Sequence, residues 1–429
     1  MAFEGVTDIR TEQPMTRWFT IILMSVAALP ISLRADDVKE SRSMDTTAFT
    51  ADLYAQLDQQ KGNLFFSPAS IETALAMTYA GARGNTAEQM GKTLHFTGDA
   101  GQVGAAFATL LKTLNNPPEV ISSFDDTGKP LKKPAYELTV ANVLWAQQGY
   151  PFLPDFIDEV KKDYAGGLNA VDYGQPEVAR KTINEWVASQ TKDKIKDLIG
   201  RGVLTPVTRL VLTNAIYFKS NWESKFQKAA TKDGPFTSSE GQSSDVPLMH
   251  QRHDFGYMEN ADLQLLELPY KQRELSMVVL LPRQVDGLPA LEKNLSAENL
   301  RNWSKVTHFE LVDVTLPKFT FSAELQLADT LRAMGMTDAF DPGKADFSGM
   351  STAERFFISA VIHKAFVAVD EEGTEAAAAT AITMKAGAAM RQPKEPKIFK
   401  ADHPFLFLIR HNATGEILFV GRLTNPKSA

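Results

Sequence analysis

Apolar residues recur at helical spacing through the first third of the chain. Over 46–60, Phe49, Leu53, Tyr54 and Leu57 stand at i, i+4, i+5 and i+8, which is one face of a helix. Ser67 followed by Pro68 opens a second helix, the serine in capping position and the proline in the first turn. Its apolar residues include Ile71, Leu75, Met77 and Ala80. A third helical pattern begins near Asn85 and a fourth covers 103–114. Runs rich in Val, Leu and aromatic residues at 136–145 and 210–218 predict strands, with amphipathic helices at 154–164 and 176–189 between them. Beyond these the pattern turns strand-like. Short apolar strands at 264–270 and 275–281 are joined by a polar turn, and 405–410 and 416–423 flank the turn His411-Asn412-Ala413-Thr414-Gly415 as a hairpin. Helices first and strands later predict an α+β fold with several antiparallel sheets in one large unit.

Composition narrows the chemistry. Among 429 residues there is no cysteine, which excludes disulfide frameworks, thiol nucleophiles, cysteine–zinc sites and iron–sulfur clusters. A net charge of −7 lacks the electrostatic signature of a nucleic-acid binder. Residues 18–33 form a mostly apolar run, shorter than the ~20 residues of a membrane-spanning helix but suited to a secretory signal. Ahead of it Glu4, Asp8 and Glu12 outweigh Arg10 and Arg17, whereas a start at Met15 leaves a positive leading region. The expectation is an upstream extension plus signal peptide over 1–34, one domain over 35–429, and a secreted monomer, extracellular or periplasmic.

Catalytic motifs do not survive inspection. The stretch GNTAEQMGKT at 84–93 has six residues between its glycines where a phosphate loop needs four. Ser189 and Lys192 match a serine–lysine element but lack its KTG partner, and no Gly-x-Ser-x-Gly elbow occurs. His250 and His253 lie in loop and strand patterns, and the histidines and carboxylates form no metal-ligand cluster. Neither a metal, a cofactor nor an enzymatic activity is expected.

One segment needs another account. Residues 371–381 read EEGTEAAAATA and directly follow the strand pattern 356–369. By propensity the alanines favour an exposed helix followed by a linker. At period two, Thr374, Ala376, Ala378 and Thr380 face one way and are small and uncharged. Glu375, Ala377 and Ala379 face the other. Such a strand can slip between two others without steric or charge penalty. A long polar stretch with Pro393 and Pro396 follows, as in an exposed loop.

In this setting the chain resembles the serpins, from about 46 to 426. The resemblance rests on NLFFSPASI at 63–71, LTNAIYFKSNW at 212–222, LPKF at 316–319, the 371–381 segment, and the run from DHPF at 402–405 to Pro426, in that order. Two departures stand out. Asp193 occupies a position where glycine is common, and the loop between Gly373 and Pro404 is several residues longer than usual. The resemblance implies three β-sheets, about eight or nine helices and an exposed reactive-centre loop. It implies a suicide substrate: a serine protease cleaves the loop, an acyl-enzyme forms, and the loop enters the main sheet as a new strand, giving a covalent 1:1 complex. About a dozen added ladder bonds at roughly 0.5–1.5 kcal/mol each amount to on the order of 10 kcal/mol.

Residue by residue, the resemblance makes Glu371, Glu372, Gly373, Thr374, Glu375, Ala376, Ala377, Ala378, Ala379 and Thr380 the hinge. Trp222, Lys318 and Glu371 become the breach where insertion begins. Ser67, Ser70, Asn214 and His363 become the shutter beneath the sheet. Family spacing puts the reactive bond at Gly387-Ala388, where Lys385 and Ala386 precede it and suit an elastase- or subtilisin-like protease. The longer loop leaves Met390 or Arg391 as alternatives, the latter for a trypsin-like target. A non-inhibitory serpin serving binding or storage is the other reading, and its hinge would carry bulky or charged inward residues.

Overall fold

The apolar strand runs pair into a six-stranded main sheet in the computed structural model, which describes residues 44–164, 167–303, 305, 308–353, 357–374 and 395–427. Its order is Phe319–Gln326, Ala360–Val369, Gly373–Thr374, Leu210–Asn221, Tyr136–Gln147 and Gly167–Val171. A nine-stranded sheet contains the expected hairpin, Phe405–His411 with Ile417–Leu423, beside Leu275–Pro282 and Leu263–Pro269. The third sheet is a hairpin of Glu119–Phe124 with Pro130–Pro134. Nothing in the periodicity predicts it, because its Ile121, Phe124 and Leu131 are solvent-exposed and face no core.

The central strand Leu210–Asn221 is covered on both faces and is buried almost without interruption, whereas the edge strand Phe319–Gln326 alternates buried and exposed residues. Leu212, Ile216, Val361, Ala365 and Val367 join the principal core. Val211, Ala215 and Ile362 face a second core with Ile183 and Val187 of the helix Pro176–Gln190 and with Ile195, Leu198 and Ile199 beyond it. Under the sheet runs Pro68–Gly81, apolar almost all round and buried along nearly its whole length. Ser67 caps it, its hydroxyl accepting from the Ser70 N–H at 3.2 Å. The Asp193 departure has a structural counterpart. Past the end of Pro176–Gln190, Asp193 has φ +62°, a left-handed backbone that glycine adopts without strain.

Candidate functional site

The main sheet holds a seam. Ala360 to Ala365 pair in parallel with Val211 to Ile216, with His363 opposite Asn214. Above Ala365 the two strands part, and Gly373 and Thr374 lie between them. Thr374 is opposite Val369 on one side and Ser220 on the other, and Gly373 is opposite Asn221. At Gly373, with φ +155°, a Cβ would stand 2.1 Å from the Ser220 carbonyl oxygen. No side chain fits there, which is why the chain can enter only through a glycine.

Around this entry the structure gathers Trp222, Lys318 and Glu371. Lys318 Nζ lies 2.8 Å from Glu371 Oε2, and the Thr231 hydroxyl donates to Glu371 Oε1 at 2.8 Å. Burial pushes the Glu371 carboxyl up. The hydrogen bonds from Lys318, the backbone and Thr231, with the Lys318 charge, outweigh it and hold the group below the usual carboxylate range. Glu372 pairs with Lys225 and, at 3.7 Å, with Lys228. Trp222 Nε1 donates to the Asp370 carbonyl at 2.9 Å, and the indole stacks on Tyr270 with centroids 4.6 Å apart. Tyr270 in turn shares a 2.6 Å hydrogen bond with the buried Thr374 hydroxyl. Tyr270, Thr231, Lys225 and Asp370 are not among the residues the sequence singles out. Only their convergence from distant strands marks them, and no spacing signals it.

At mid-seam Ser67, Ser70, Asn214 and His363 meet, all buried. His363 Nε2 accepts from the Ser67 N–H at 3.2 Å while Nδ1 faces Asn214 Oδ1, so the proton sits on Nδ1. Burial pushes the imidazole down to about 3, leaving it neutral. The Asn214 amide donates to the Ser70 carbonyl at 2.6 Å and to its hydroxyl at 2.7 Å, and it faces Asn142 Oδ1. Asn142 is a fifth member: it is directly opposite Asn214 in the ladder, and its amide donates to the Ser70 carbonyl at 3.0 Å. A lone asparagine inside the apolar run 136–145 is the signal that could have found it.

Glu375, Ala376, Ala377, Ala378, Ala379 and Thr380 lie outside the described residues, as do Lys385, Ala386, Gly387, Ala388, Met390 and Arg391. The discarded motifs do not assemble. Ser189 donates to the Trp186 carbonyl at 2.6 Å and Lys192 pairs with Glu137, so they form no nucleophile–base pair. His250 and His253 sit on the strand Ser243–Glu259, where residues three apart face opposite ways, and His250 pairs with Asp313 at 2.7 Å. Among the described residues no group of three metal-type ligands forms, and no helix is long and apolar enough to cross a membrane.

Residues 44–426 match the Serpin (serine protease inhibitor) family model. An uncharacterized serpin-like protein of Thermococcus kodakarensis is 45% identical over 94% of this chain and 91% of its own length. Human leukocyte elastase inhibitor is 42% identical over 90% of this chain and 100% of its own. Among solved structures, uncleaved ovalbumin aligns with a TM-score of 0.79 at 33% identity, over 90% of this chain and 100% of that one. Serpin48 of Tenebrio molitor aligns at 0.76 and 33%, over 89% and 96%.

These relatives correct one expectation. The apolar run at 18–33 predicts secretion, but leukocyte elastase inhibitor and serpin B4 are intracellular proteins without a signal peptide. Each aligns over its full length with only 90% of this chain, and the family match begins at 44. Apolar composition over 16 residues is a hydropathy signal alone and does not report where a protein is sent.

Proposed function

We propose, from the premise that this chain belongs to the serpin family, that it traps a serine protease by taking its own cleaved loop into the main sheet. The carrying observation is the seam already parted at its upper end by Gly373 and Thr374. Antiparallel partners keep a constant sum of residue numbers, here 743 against Ala360–Val369 and 594 against Leu210–Asn221. Continued downward, both registers call for the same residue at every level. Position 380 falls opposite His363 and Asn214, which already face each other, and 383 falls opposite Ala360 and Val211. The flanking strands therefore need only move apart, without sliding, by about 4.8 Å. The buried hydroxyl of Thr374 sets the parity, so Ala376, Ala378 and Thr380 follow it inward.

The same register bears on the reactive bond. Cleavage after Gly387 leaves four residues beyond 383, a tether of roughly 13 Å at 3.3 Å per residue. Cleavage after Arg391 leaves about 26 Å of slack. A short tether presses the acylated protease against the end of the sheet, which favours Gly387-Ala388 and a protease with a small-residue pocket, elastase- or subtilisin-like. The inhibitor is consumed in a 1:1 covalent complex and turns nothing over, and no cofactor enters the step. Incubation with elastase, subtilisin and trypsin in turn tests this. An SDS-stable complex is expected with one of the first two, with a released C-terminal peptide beginning at Ala388. Quantitative cleavage with no complex from all three would sink the trapping reading, and a peptide beginning at Gln392 would move the bond to Arg391.

A further inference from the structure

At the end of the main sheet remote from Gly373, a cavity of about 410 Å³ opens between two parts of the molecule that loop insertion must separate. One wall is Arg201, Gly202 and Val203. Asn184 ties that segment to the helix Pro176–Gln190. Its amide donates to the Ile199 carbonyl at 3.0 Å, and its Oδ1 accepts from the Ile199 N–H at 2.8 Å. That helix packs on Tyr136–Gln147, on the near side of the seam. The opposite wall is Gln326, Ala328, Ala360 and Ile362, from strands on the far side and the helix start after them. Admitting one strand moves the walls apart by about 4.8 Å.

The lining states the chemistry of an occupant. Val203, Ala328 and Ala360 offer apolar surface, Gln326 and Ser359 add polar surface beside them, Ile362 is buried behind, and Arg201 is exposed at the rim. Its guanidinium has no hydrogen-bond or ion-pair partner among the described residues, and the cavity is lined by no carboxylate. We propose that this cavity binds a medium-chain fatty-acid anion, the carboxylate on Arg201 and the chain laid across to Ala328 and Ala360, and that the bound anion holds the seam shut. A guanidinium pairs a carboxylate through two parallel hydrogen bonds. A ligand that touches both walls binds the closed sheet better than the open one, and by linkage it shifts the population toward closed. The site rests on the insertion reading for its consequence and on the cavity alone for its existence.

Decanoate is the probe, with decanol as the uncharged control. Calorimetry on the intact protein is expected to detect decanoate binding, weakened about tenfold or more in Arg201→Gln. Ala360→Leu, which fills the apolar end, is expected to weaken decanoate and decanol alike. The second measurement is uptake of a synthetic peptide of residues 375–383, which leaves the level of Thr374 to the chain itself, with no protease present. Saturating decanoate is expected to slow that uptake several-fold in the native chain and to leave Arg201→Gln unchanged. Equal decanoate affinity in the native chain and Arg201→Gln overturns the site. Binding without any effect on uptake overturns the coupling. Failure of the peptide to enter even without decanoate overturns the insertion reading, and is told apart from failure of the site by the calorimetry.

Discussion

The two ends of the seam are built from opposite materials. Around Gly373 the interactions are ionic with only the cations open to water: Lys318 over a buried Glu371, and Lys225 and Lys228 over a largely buried Glu372. Around His363 they are neutral, buried and mutually satisfied, with Asn142, Asn214, Ser70 and Ser67 closing a network beneath three neighbouring strands. Cations held at the surface pass from their partner to solvent at lower cost than groups sealed in the core. A buried polar network loses the full desolvation penalty of each group left unpaired. The strands are accordingly already apart at one end and sealed at the other. Insertion starts where opening is easy, and its barrier lies where opening is hard.

The most drastic way to break this arrangement is Thr374→Arg. A charged side chain forced inward at the first inserted level faces Tyr270 and no counter-ion, and the cost of several kcal/mol is expected to lower complex yield on the order of a hundredfold. Gel analysis should find cleaved chain in place of complex, and unchanged complex yield refutes inward-facing insertion at 374.

Acid separates the two ends. His363 is held at about 3 in the folded chain against an ordinary 6.5, so below pH 6.5 the unfolded chain takes up a proton that the folded one refuses. The contribution is fully present above 6.5 and is lost as pH falls toward 3, on the order of 5 kcal/mol over that window. Glu371, lowered from its ordinary 4.5, contributes above that value and loses its contribution only on further acidification. Urea midpoints from pH 8 to 3 are expected to fall from 6.5 downward in the native chain and to fall less steeply over pH 6.5–4.5 in His363→Gln, where His411, also lowered by burial, keeps part of the slope. Parallel curves for the two proteins would remove His363 from the account.

Asn142→Ala and Lys318→Met sharpen the contrast at smaller scale. The first strips a partner from buried Asn214 and Ser70 and is expected to cost about 1–3 kcal/mol, with faster uptake of the 375–383 peptide. The second takes the cation from a buried Glu371 carboxylate that keeps the Thr231 hydroxyl, and is expected to cost about 1–2 kcal/mol. A larger effect from Lys318→Met would reverse the assignment of the barrier. Smallest is Asp193→Gly, which relieves a left-handed φ outside both ends. It is expected to stabilise by about 0.5–1 kcal/mol and leave peptide uptake alone.

Local chemistry along the chain makes part of this legible from sequence alone. The period-two face of 371–381 belongs to the chain itself, and Thr374, its one member among the described residues, is buried. Ser67 capping Pro68–Gly81 follows from the Ser-Pro pair that opens the helix. What stays hidden in a sequence is what depends on meeting across distance. Tyr270 carries no mark of its partnership with Trp222 and Thr374, and the cavity between Val203 and Ala360 exists only once 201–203 comes to lie near the start of Ala360–Val369. The apolar run at 18–33 errs in the other direction, since hydropathy reports composition and is silent on destination.

The matched registers at 374 reach beyond the trapping step. Because both flanking strands demand the same residue at each level down to 383, one residue added before that point turns the inward face outward and ruins the inhibitor. Residues added after it change only the slack. The loop is thus two texts joined end to end, a locked passage that does the work and a free one that names the victim. Prey can change by drift in the second while the first stands still, and the several extra residues of this loop are tolerable if they fall in the free passage.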